Sequence, residues 1–152
     1  MKVKLHILQL ALVLSAGLIQ PALAADKHDH KKVAPPKGGR LLDKTEPRAE
    51  FVVEKDHSVT INFYSNALKP VPVTTQTVTV QADAKGGKTK LEFEKKGDSL
   101  VSKTKLPDGD GYNLVVQFKQ TAEAKAQNHR FKLELTPCAE CKLGEYACIC
   151  DH

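Results

Sequence analysis

The chain has 152 residues, 41% of them hydrophobic, and a formal net charge of +5. That length excludes a large multi-domain enzyme and allows one domain with its own core. The charge comes mostly from scattered lysines, with Arg40, Arg48 and Arg130 the only arginines and no tryptophan. The basic patch interleaved with aromatics that marks a nucleic-acid binder is missing, so no nucleic-acid partner is expected.

Residues 1–24 read as a secretory signal peptide. Lys2 and Lys4 supply the charged start, an apolar run follows, and Ala22-Leu23-Ala24 forms a small-residue cleavage site behind Pro21. Removing these 24 residues, with their two lysines and no acid, leaves 128 residues and a charge of +3. The apolar run is shorter than the roughly 20 residues a bilayer span needs. A soluble, periplasmic chain in an oxidising compartment, without membrane insertion, is the expectation. Residues 25–39 read as a flexible linker, polar at first and then rich in Pro and Gly. It carries His28 and His30 beside Asp26 and Asp29, imidazole and carboxylate donors that suit weak capture of zinc or copper(II). Cleavage after Ala24 makes His28 the fourth residue, so an amino-terminal copper site with His in third place is not formed.

From Arg40 onward, short runs rich in Val, Thr, Ile and Phe alternate with turn residues. Strands are predicted over 48–54, 58–64, 74–82, 88–95, 99–103, 112–119 and 129–135. The turns between them carry Lys55-Asp56-His57, Gly86-Gly87, Gly97-Asp98 and Pro107-Asp108-Gly109-Asp110-Gly111. Residues 121–127 have helical composition, yet the stretch is too short to stand alone and reads as a loop. Pro137 stops the last strand. Seven or eight short strands about ten residues apart predict an all-β, immunoglobulin-like β-sandwich over 40–136. The segment past Leu135 holds few large apolar residues and is expected outside the core.

Residues 137–152 form a Cys-rich tail. Cys138, Cys141, Cys148, Cys150 and His152 follow a C-x2-C-x6-C-x-C-x-H pattern. Thiolate and imidazole suit zinc and copper(I). The C-x2-C pair can hold one ion across a tight turn, the C-x-C pair can complete a tetrahedron, and Gly144 can supply the reversal between them. Zinc ranks first because four thiolates make a full set. Copper(I) ranks second, since Met1 is the only methionine. The competing reading is two disulfides, for which four cysteines allow three connectivities. Short loops gain less from disulfides, and one within Cys148-Ile149-Cys150 is strained. Both readings stay open. A thioredoxin-type redox role lacks the βαβ setting that activates such thiols.

No serine sits in a recognisable Ser-His-acid arrangement and no paired-carboxylate signature stands out, so the chain is expected to be non-enzymatic. Asp108 and Asp110 lack the downstream Glu of a calcium loop and read as turn residues. His57 and His129 are lone histidines, read as surface or packing residues.

Three stretches carry a resemblance. They are Gly38-Gly39-Arg40-Leu41-Leu42, then Arg48-Ala49-Glu50-Phe51-Val52-Val53-Glu54-Lys55-Asp56, then Val59-Thr60-Ile61-Asn62-Phe63-Tyr64 followed by Lys69-Pro70-Val71. Over residues 37–135 this pattern resembles small periplasmic β-sandwich domains that accompany heavy-metal efflux systems and their resistance–nodulation–division adaptors. That family shows His-Gly-Gly where this chain has Lys37-Gly38-Gly39, and the Cys-rich tail lies outside its pattern. The resemblance implies a non-enzymatic, metal-handling accessory with an efflux adaptor or other periplasmic protein as partner. The alternative is an immunoglobulin-like interaction module with a disulfide-stapled tail, whose sheet edges bind a partner protein.

Overall fold

The computed structural model describes residues 33–150. Its eight strands are β1 (Arg40–Leu41), β2 (Arg48–Val53), β3 (Val59–Tyr64), β4 (Thr77–Ala84), β5 (Gly87–Lys96), β6 (Ser99–Ser102), β7 (Tyr112–Lys119) and β8 (Gln127–Leu133). A single 3-10 turn, Glu145–Ala147, follows them. Among the described residues no helix is long and apolar enough to cross a membrane.

Alternation decides which face each strand buries. In β3, Val59, Ile61 and Phe63 point into the core. In β4 these are Val78, Val80 and Ala82, and in β7 Tyr112, Leu114, Val116 and Phe118. The residues between them are more exposed, Asn113 and Gln117 among them. Turn chemistry sets the register. Between β2 and β3, Glu54 N–H donates to the Ser58 carbonyl and His57 N–H to the Glu54 carbonyl. His57 adopts φ 67°, the left-handed residue that a three-residue hairpin loop requires. Asp56 Oδ1 accepts from the Ser58 N–H and hydroxyl, closing the same turn.

All pairings are antiparallel, in the order β1-β2-β3-β6-β5-β4-β7-β8. The ten-residue β5 links two halves: Gly87 to Glu92 pair with β4, and Phe93 to Lys96 pair with β6. The all-β class is as expected. The strands form one curled, hydrogen-bonded order in which β5 joins a β1-β2-β3-β6 half to a β4-β7-β8 half. Residues 121–127 make a turn and the start of β8, in line with the loop reading.

Two expectations are corrected. The linker over 25–39 was expected to be flexible. Residues 25–32 lie outside the described residues, but the end of the segment is tied down. Lys37 and Gly39 N–H groups both donate to Glu50 Oε1, at 2.9 and 2.8 Å. Glu50 lies on the opposite side of β2 from Phe51 and is still fully buried, because this segment covers it. Gly39 has no room for a side chain: a Cβ there would run into the Phe51 carbonyl oxygen. Tyr64 sits on the same covered face. Burial first, and then the Glu50 carboxylate, push its phenol well above the ordinary value.

The second correction concerns the chain past Leu135. It does enter the core: Tyr146 and Ala147 are only 7% and 3% exposed and join the main apolar cluster. One well-placed aromatic outweighs a polar average, since burying such a ring is worth roughly 1.5–3 kcal/mol.

Candidate metal centre

The tail turns back immediately after β8. Cys138 N–H donates to the Leu143 carbonyl and Lys142 N–H to the Cys138 carbonyl, so residues 138–143 close a tight loop. Pro137 and Gly144 pair across its base. Lys142 holds the left-handed conformation that this reversal needs, at φ 63°. Gly144, which the spacing suggested for the reversal, has φ −56° and plays another part. A Cβ there would lie 2.9 Å from Tyr146 Cε1, so the glycine makes room for the tyrosine ring.

Beyond the 3-10 turn the chain brings Cys148 and Cys150 back over the first pair. All four sulfurs lie within 4.8 Å of one another. Cys138 and Cys148 are separated by 3.5 Å, Cys138 and Cys150 by 3.8 Å, and Cys141 and Cys148 by 3.8 Å. A tetrahedral ion with metal–sulfur bonds of about 2.3 Å sets its sulfurs about 3.8 Å apart. The three separations fit that edge, and none is near the roughly 2.05 Å of a disulfide. Cys138 is buried and the other three are half-buried.

Backbone dipoles prepare the sulfurs for negative charge. The N–H groups of Ile149 and Leu143 point at the Cys141 sulfur and hold its thiol down to about 6. Cys150 N–H donates to the Cys148 sulfur at 3.4 Å. That bond favours thiolate at Cys148, but burial and the sulfurs of Cys138 and Cys141 outweigh it and leave the thiol above its ordinary value. At Cys150 burial raises the thiol most, and the other three sulfurs add to it. One thiolate therefore forms readily, and the crowding opposes the next. A soft cation at the centre relieves that repulsion.

Tyr146 anchors the loop between the two cysteine pairs. Its N–H donates to the Glu134 carbonyl at 3.0 Å, just past β8. Its carbonyl accepts from Arg40 Nη1 of β1 at 2.9 Å, and its hydroxyl from the Val53 N–H of β2 at 3.2 Å. Its ring meets Phe51 edge-on at 6.2 Å and stacks near Phe131 at 6.4 Å. The Arg40 guanidinium covers the other ring of this group, 4.8 Å from the Phe131 centroid. Sequence reasoning missed Tyr146. The only signal for it was an aromatic residue set between the two cysteine pairs and followed by Ala147.

The structure brings together Cys138, Cys141, Cys148 and Cys150 of the expected ligands. His152, His28 and His30 lie outside the described residues. His57 sits in the β2–β3 turn and His129 on β8, both apart from the thiol group. Burial lowers the pKa of His129, as expected of a packed histidine. Asp110 accepts from the N–H groups of Gly111 and Leu135, which is a turn role. The four-cysteine group is the one arrangement of three or more metal-ligating side chains among the described residues. Comparison of the chain with known protein families, with curated proteins and with solved structures finds no match.

Proposed function

We propose that this chain is an exported metal-binding protein, in which Cys138, Cys141, Cys148 and Cys150 hold one soft metal ion. The observation that carries this reading is the sulfur geometry: four donors within 4.8 Å of one another, three of whose six edges are 3.5–3.8 Å. Zinc is the favoured ion, because a closed set of four thiolates with tetrahedral spacing suits a redox-inert dication. Copper(I) is second. A set of four protein ligands leaves no open position, which favours holding an ion over activating water on it. The resemblance of residues 37–135 to efflux-associated domains supports a periplasmic setting and an adaptor or other periplasmic protein as partner. His152, two residues past Cys150, is a substitute donor in this reading, and His28 and His30 form a separate weak site.

The test is the native and denaturing mass of the protein purified from the periplasm. The expected result is a chain lacking residues 1–24, with one zinc or copper in the native state and four reduced thiols after denaturation. A metal-free chain lighter by four hydrogens overturns the reading. The tail is then a pair of disulfides, and the interaction-module reading takes its place.

A further inference from the structure

The eight-stranded sheet leaves its first and last strands unpaired with each other: among the described residues β1 pairs as a strand only with β2, and β8 only with β7. The 3-10 turn lies against both β8 and β1, and beside the direct contacts of Phe131 with Phe51 and Arg40 Tyr146 supplies the hydrogen bonds of the bridge. This one residue bonds to Arg40 of β1, Val53 of β2 and Glu134 beyond β8. Its ring packs beside both Phe51 of β2 and Phe131 of β8, which also touch each other at 5.4 Å. In the chain, Cys138 and Cys141 precede it and Cys148 and Cys150 follow it. An ion held by both pairs therefore closes a loop with Tyr146 at its middle.

We infer that the metal ion is a clamp on the seam between β1 and β8, and that Tyr146 is the positioning residue through which the two are coupled. The inference rests on the metal reading above and adds what the ion does there. Tyr146 offers the ion no ligand in this arrangement. It fixes the loop so that the two cysteine pairs meet, and the bound ion in turn holds Tyr146 in the seam. Binding and seam closure are linked equilibria, so each strengthens the other by the same factor. With the ion removed, the loop from Cys138 to Cys150 loses its cross-link. Tyr146 leaves the seam more often, and the Val53 N–H loses its acceptor.

Two measurements test this. Zinc affinity is read by competition with a chromophoric chelator for the native chain and for Tyr146→Ala, Tyr146→Phe and Cys138→Ser. Hydrogen exchange is read on the native chain with zinc and with excess chelator. Tyr146→Ala is expected to bind one zinc about tenfold or more weakly, within the range of coupling between linked sites. Tyr146→Phe keeps the ring and is expected to lose less. Chelation is expected to speed exchange at Val53 and along β1, while the centre of β4 and β7 stays protected. Unchanged zinc affinity in Tyr146→Ala, or unchanged exchange at Val53 on chelation, overturns the inference while leaving the metal site intact. If neither the native chain nor Cys138→Ser binds zinc, the metal reading itself has failed. Should Tyr146→Ala not fold, the Phe variant and the exchange of the native chain decide the matter.

Discussion

The sulfurs of Cys138 and Cys148 lie 3.5 Å apart although ten residues separate them along the chain. Cys138 is also the buried member of the four. Structural zinc sites with four ligands bind with roughly 10–16 kcal/mol in small peptides, so one ligand in four corresponds to about a hundredfold or more in affinity. Cys138→Ser is expected to lose at least that much, read by zinc competition. A variant that keeps native affinity argues for a ligand set without Cys138.

Chelation is expected to lower the melting temperature. An ion present at a hundred times its dissociation constant contributes about 2.7 kcal/mol to the folded state. For a domain of this size that corresponds to roughly 10 °C. Calorimetry with and without chelator checks it, and addition of zinc restores the original midpoint.

In the metal-stripped protein, Cys141 is expected to be the first thiol alkylated. Backbone N–H groups from Ile149 and Leu143 lower it from an ordinary 9.0 to about 6, so it is mostly thiolate at neutral pH. Iodoacetamide labelling followed by peptide mass mapping reads the order, and the rate at Cys141 falls as pH drops through about 6. The sign for stability follows. The folded form carries the lower pKa, so the gain from Cys141 is complete above about 9 and is lost as pH falls towards 6. Above 9 the raised thiols of Cys148 and Cys150 reverse the trend.

Gly144→Ala is expected to disturb the tail without touching a ligand. The added methyl meets the Tyr146 ring at 2.9 Å. Forced overpacking of this kind typically costs about 1–3 kcal/mol. The expected signature is a lower melting temperature together with weaker zinc binding.

On the far side of β2, Glu50→Ala is expected to destabilise by about 1–3 kcal/mol. It removes the acceptor shared by the Lys37 and Gly39 N–H groups in a covered site. Urea unfolding of the variant gives the value. A change within a few tenths of a kcal/mol shows that water reaches those amides.

Much of this was legible from residue order. Period-two alternation located β3, β4 and β7, because one face of each is apolar and the other is not. The C-x2-C and C-x-C spacings named the four sulfurs that come together. Strand order was not legible: the pairing of β3 with β6 and of β4 with β7 depends on contacts far apart in sequence, which local periodicity does not encode. Burial of Glu50 was hidden for a similar reason, since its cover comes from the segment before β1. Tyr146 was hidden because its hydrogen-bond partners on β1 and β2, Arg40 and Val53, are 106 and 93 residues away.

A sheet whose end strands are not paired with each other must dispose of two rows of backbone donors and acceptors, because an exposed strand edge is a template for another chain. Here β1 is only two residues long, which leaves little to copy. β8 is seven residues long and carries exposed Arg130 and Lys132. Lys132 is paired with Glu134, so two copies meeting edge to edge along β8 bring chiefly the Arg130 cations together. Brevity on one side, and Arg130 with the packed 3-10 turn on the other, therefore work against edge-to-edge pairing.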